Sequence, residues 1–146
     1  MNTGGGRLLA VDWGERRIGL ALTDESQQLA QPLATITRRA GKRPPIAAIL
    51  QHAADHQVVG LVVGLPLDEA GQEGPAAAAA RELAAALERR SGLPVALQDE
   101  RLTTARVLRT VRELGGSTRG RKADVDAMAA ALLLQQYLDG RRGSSL

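Results

Sequence analysis

The chain has 146 residues, enough for one domain with a buried core, and sets 19 Lys and Arg against 16 Asp and Glu for a formal charge of +3. With no Cys, one Trp, one Tyr and no Phe, it excludes disulfide and thiolate-metal scaffolds, fits a reducing cytoplasm, and argues against base stacking as the main grip on a single strand. No run approaches 18 consecutive apolar residues and Met1–Gly6 holds no apolar signal region, so neither membrane insertion nor export is expected.

Leu8–Trp13 and Ile18–Thr23 are apolar stretches around Gly14-Glu15-Arg16-Arg17, the pattern of a hairpin. Leu29–Thr37 reads as a third strand, placed at an edge by Pro32. After a basic loop from Arg38 to Pro45, the spacing of Ile46, Ile49, Leu50 and Ala53 predicts one helix face. Val58–Val63 is a continuous apolar run leading to Gly64-Leu65-Pro66, the mark of a strand buried on both faces. Pro75 opens a helix with Ala76, Ala79, Ala80, Leu83, Ala84 and Leu87 inward, stopped by Gly92. Val95–Gln98 is a short strand. Thr103 or Thr104 caps a helix presenting Val107, Leu108, Val111 and Leu114. The last helix carries Val125, Met128, Ala129, Leu132 and Leu133 on one face.

The order β-β-β-α-β-α-β-α-α predicts an α/β domain over residues 7–140 with flexible termini at 1–6 and 141–146. Its mixed five-stranded sheet has three antiparallel strands first and parallel strands after, with helices on both faces. This is an RNase H-like arrangement with the first strand central. Asp12 is then expected mid-sheet, beside the later strand that ends at Glu100.

Three acids stand where strands end or a helix begins: Asp12, Glu100 and Asp126. Each has a plain structural use, since Asp caps helix starts and turns before Gly. Gathered in one place, however, carboxylates from separate elements are what a divalent metal needs. In a chain whose bases are Arg except for Lys42 and Lys122, they suggest an enzyme that cuts nucleic acid, because Arg grips phosphate bidentately.

The motifs themselves are recognisable. Asp12-Trp13-Gly14 with Arg17-Ile18-Gly19, Val63-Gly64-Leu65-Pro66-Leu67, Asp99-Glu100-Arg101-Leu102-Thr103-Thr104, and Val125-Asp126-Ala127 leading to Gln135-Gln136-Tyr137-Leu138 together resemble the YqgF family, also called RuvX. The resemblance runs from about Arg7 to about Gly140. It implies an RNase H-like fold, a divalent metal, and a role in maturing the 5′ end of 16S rRNA; resolution of Holliday junctions is the family's other proposed activity. Carried over by position, the acidic triad falls on Asp12, Glu100 and Asp126, with Asp124 as a cap or supporting group.

Phosphodiester hydrolysis needs an activated water and stabilised charge on the leaving oxygen, which two Mg²⁺ or Mn²⁺ ions about 3.5–4 Å apart can supply. Such hard cations take oxygen ligands. Without them, two carboxylates about 4 Å apart repel by roughly 4 kcal/mol at an effective dielectric near 20. Arg101, Arg121 and Lys122, flanking Glu100 and Asp126 in sequence, are the expected contacts to a nucleic-acid backbone. Arg106, Arg109 and Arg112 form a stripe on one helix, where Arg106 reads more simply as solvated and Arg109 can pair with Glu113 four residues on, while the loop Arg38–Arg43 reads equally as a second contact or a solvated loop. His52 and His56 are four residues apart on a helix with no third ligand in view. Trp13 points away from Asp12 by strand alternation and belongs to the core.

The expected partner is structured RNA, with branched DNA as the alternative; a junction cutter further requires a symmetric dimer, whereas an RNA processor can be a monomer. Two other classes fit parts of the pattern. One is a non-catalytic RNA-binding module. The other is an actin-like kinase, whose first phosphate loop also resembles Asp12-Trp13-Gly14, though such enzymes close two domains over a nucleotide.

Overall fold

Leu8–Trp13 (β1) and Arg17–Thr23 (β2) pair antiparallel, with Leu9 opposite Leu22 and Asp12 opposite Gly19. The Gly14 N–H donates to the Arg17 carbonyl across the turn at 3.0 Å. The computed structural model describes residues 5–14, 16–38, 43–100 and 122–144. Ala30–Thr37 (β3) pairs antiparallel with β2 and lies at the sheet edge, as Pro32 requires; a register shift falls between Leu20 and Ala21, where Pro32 comes opposite. Gly60–Leu65 (β4) and Val95–Asp99 (β5) add in parallel, giving the order β3-β2-β1-β4-β5. β1 is central, as expected. The strand leading to Glu100 is not its neighbour, however: β4 lies between them.

Helices cover both faces. Ile46–Asp55 (α1) and Pro75–Ser91 (α2) lie on the side to which Leu9, Val11, Ile18, Leu20, Leu61 and Val63 point, and Ile49, Ala53, Ala80, Leu83 and Leu87 complete that core. Lys122–Ser144 (α3) covers the other face, packing Ala130, Ala131, Leu134 and Leu138 against Leu8, Ala10, Ala21 and Val62. Every residue of β4 is buried, which accounts for its unbroken apolar run. The small Ala side chains on α2 and α3 let both helices lie close to the sheet, which suits a core without Phe.

Several details differ from the sequence expectations. Ala77, not Ala76, is buried on α2, so its inward face begins one residue later. Met128 on α3 is 48% exposed, and Ala127 and Ala130 are buried instead. That helix also continues through Gly140 to Ser144. The helix expected around 103–114 lies outside the described residues.

Candidate active site on the α3 face of the sheet

Along β1 the side chains of Leu8 and Ala10 meet α3, and strand alternation brings Asp12 to the same face. Its cross-strand neighbour on β2 is Gly19. On the other side β1 and β4 run in parallel with Val11 beside Val63, so the next position brings Asp12 beside Gly64. Asp12 therefore stands between two residues without side chains, strands being about 4.8 Å apart.

Each glycine seats one of the other acids. The backbone of Asp126, in the first turns of α3, rests directly on Gly19, and a Cβ built there would overlap the Asp126 carbonyl. The Glu100 carboxylate lies over Gly64, where a Cβ would come within 2.7 Å of Oε2 and 3.1 Å of Leu133 Cδ2. Glu100 itself follows β5, and its N–H donates to the Leu65 carbonyl at 3.3 Å, fastening it to the end of β4. The three acids thus share one face of the sheet. All are buried, Asp12 and Asp126 3% exposed and Glu100 4%.

Buried carboxylates of this kind require compensation. Part of it comes from Arg17, whose Nε is 4.0 Å from Asp126 Oδ2; the Arg17 side chain is 26% exposed, so it reaches in from solvent. Arg17 and Gly19 are two apart on β2 and so share the face of Asp12. Both residues fall in the Arg17-Ile18-Gly19 motif, which by itself gives neither a place in the site. The signal was present, since spacing of two along a strand that pairs with the Asp12 strand puts both on one face.

Among the described residues no three His, Cys, Asp or Glu side chains already stand in a metal-coordinating group. Asp12, Glu100 and Asp126 are brought to one patch without being closed into a ligand shell. As a donor set they suit a hard divalent cation: all are carboxylate oxygens, and the glycines on either side keep Cβ atoms out of the space between.

Other candidates take definite places. Trp13 packs against the α1/α2 core, and the Arg38 guanidinium lies 3.7 Å from its ring centroid. Arg38 also donates to the Gly14 carbonyl at 2.7 Å, a structural role for the first base of its loop. His56 Nδ1 is 3.0 Å from the His52 carbonyl, so the pair engages its own helix. Arg101 and Arg121 lie outside the described residues, as do Arg106, Arg109, Arg112 and the side chains of Lys122 and Asp124. Among the described residues no helix is long and apolar enough to cross a membrane.

Comparison with known proteins gives one family match, two relatives and two structural likenesses. The family described as "RuvX: Holliday junction resolvase" matches residues 6–140. A protein of Anaeromyxobacter dehalogenans named as a candidate pre-16S rRNA nuclease is 46% identical over 135 residues, 92% of this chain and 98% of that protein. A Roseiflexus protein of the same name is 40% identical over 142 residues, 97% of this chain and all of its own length. Among solved structures, Thermus thermophilus RuvC in complex with a Holliday junction superposes with a TM-score of 0.55 at 17% identity, covering 94% of this chain and 96% of RuvC. The fowlpox virus resolvase, also solved with Holliday junction DNA, gives 0.52 at 8% identity over 92% of this chain and 98% of its own. These structural likenesses concern the fold, which is RNase H-like.

Proposed function

This chain belongs to the RuvX family, and from that premise we propose that it is a divalent-metal-dependent nuclease that hydrolyses phosphodiester bonds in structured RNA, in maturing the 5′ end of pre-16S rRNA. One observation supports this most: Asp12, Glu100 and Asp126 are buried on a single face, with Asp12 flanked by the two glycines that seat the others. The RNA substrate rests on the names of the relatives. Acting on that substrate, the protein would work in the cytoplasm.

Asp12, Glu100 and Asp126 are the groups that would hold the metal, Mg²⁺ or Mn²⁺. Such ions, when bound, would supply an activated water and neutralise charge on the leaving oxygen. The chain's own contribution is positional. The sheet fixes Asp12 and Glu100, α3 carries Asp126 across to them, and the packed face around Leu133 limits bulk water on the buried side. Arg101, Arg121 and Lys122, adjacent in sequence to Glu100 and Asp126, would hold the phosphate backbone.

The test is cleavage of a pre-16S rRNA fragment and of a four-way DNA junction by the wild type, Asp12→Asn, Glu100→Gln and Asp126→Asn, each with Mg²⁺, Mn²⁺ or chelator. Metal-dependent cutting of RNA, lost in all three variants, is expected. The family's description makes the DNA junction the comparison substrate, and preferential cutting there would transfer the assignment to recombination. A Glu100→Gln variant that still cuts would remove that residue from the mechanism, and a wild type that binds RNA without cutting it would mark a binding module.

A further inference from the structure

Arg17 reaches the edge of the acidic patch from solvent, its Nε 4.0 Å from Asp126 Oδ2. That distance is too long for a direct N–H···O bond, which needs about 2.7–3.2 Å. The contact is an attraction through space, with no hydrogen bond from Nε locking the guanidinium in place. The two ends are unequal: Asp126 is buried and its backbone is wedged on Gly19, while Arg17 is a quarter exposed on a long side chain. If either partner moves, it is Arg17.

We propose that Arg17 is a positioning residue with two stations: it neutralises Asp126 while no metal is bound, and it gives way to an incoming divalent cation and turns outward to a phosphate of the nucleic acid. This rests on the metal-dependent reading above. A cation held by the Asp126 carboxylate would stand within a few ångströms of the Arg17 guanidinium, where the two positive charges would repel each other. The guanidinium has an exit to solvent, and its planar fork matches two phosphate oxygens once there. Arg17 would thus raise the metal concentration the empty site requires and couple metal occupancy to capture of substrate.

The experiment is a thermal-shift titration with Mn²⁺ and Mg²⁺ on the wild type, Arg17→Gln and Arg17→Lys, none of which depends on cleavage. Arg17→Gln removes the competing charge, and its half-maximal shift is expected at a metal concentration lower by at least about tenfold, the scale of a dication repelled by a guanidinium a few ångströms away when the pair is screened nearly as in water. Arg17→Lys keeps the charge and should stay near the wild type. In a second arm, binding of a labelled RNA hairpin is followed by anisotropy in Ca²⁺ and in chelator; Arg17→Gln should weaken binding in Ca²⁺ and leave it unchanged in chelator. An unaltered or higher metal midpoint in Arg17→Gln, beside a clear wild-type shift, would overturn the role of Arg17 alone. So would an equal loss of RNA binding in both buffers, which belongs to a fixed phosphate contact. A wild type with no metal-induced shift would instead overturn the metal-dependent reading, and this inference with it.

Discussion

Asp12 has a glycine on each neighbouring strand, and those glycines make the residue-scale expectations sharp. Asp12→Asn keeps the shape and removes the charge, so it should abolish most of any Mn²⁺-induced rise in Tm and cut the cleavage rate on the order of a thousandfold, as when a principal electrostatic stabiliser is lost. Gly64→Ala and Gly19→Ala should then separate. At Gly64 the added carbon meets the far end of the Glu100 side chain and Leu133 Cδ2, side-chain atoms that can shift where backbone cannot; cleavage should fall with only a small loss of Tm. At Gly19 it meets the Asp126 backbone, which cannot yield without moving α3, so activity and stability should fall together, the latter by about 1–3 kcal/mol for an overpacked contact. Rate and Tm measured on both variants decide this. The acids were legible in sequence because strand ends and helix starts are where such sheets carry function. The glycine seats were not, since a glycine beside a strand end reads equally as a turn, and only cross-strand register reveals what lies on it.

Among the elements, α3 shows how far periodicity goes. Its existence and phase follow from the spacing of small and apolar residues, but Met128 was placed inward where the helix presents it to solvent. Close approach to the sheet selects Ala127 and Ala130 there, and a large side chain is pushed out. Nor did Gly140 end the helix. It lies inside α3, exposed, with nothing within 4 Å of an added Cβ. Gly140→Ala is therefore expected to stabilise the protein by roughly 0.5–1 kcal/mol with cleavage unchanged, read from denaturant unfolding. The β2–β3 connection makes a different prediction. The Asp24 carboxylate accepts the Gln28 N–H at 2.8 Å and the Ser26 hydroxyl at 3.0 Å, and the Gln28 bond first of all holds it below its ordinary value of 3.8. A depressed carboxylate stabilises above its unfolded pKa, and that contribution fades as pH falls through the folded one. Asp24→Ala should lower Tm slightly at neutral pH, with the difference closing below about pH 3.8.

For the molecule as a whole, three antiparallel strands followed by parallel ones, with β1 central, could be read from the run of strand and helix signals, because short connections make hairpins and helical ones make crossovers. The mistaken neighbour of β1 arose because sequence order says nothing about where a parallel strand is inserted. Charge acts at this scale too. With Arg as nearly every base, RNA affinity should fall linearly in log–log form as salt rises, with a slope of about 0.7 per phosphate neutralised on a single strand; a flat salt dependence in an anisotropy titration would exclude a backbone grip.

The division of the acids between sheet and α3 also has a bearing on biosynthesis. Asp12 belongs to β1, which leaves the ribosome before α3, whereas Asp126 rides on α3 and reaches its seat on Gly19 only when that helix docks. A nascent chain halted before residue 126 would carry two of the three acids and no means of completing the set. On the nuclease reading proposed above, cleavage competence would wait for α3, so that a copy lacking that helix would leave the transcripts around it uncut.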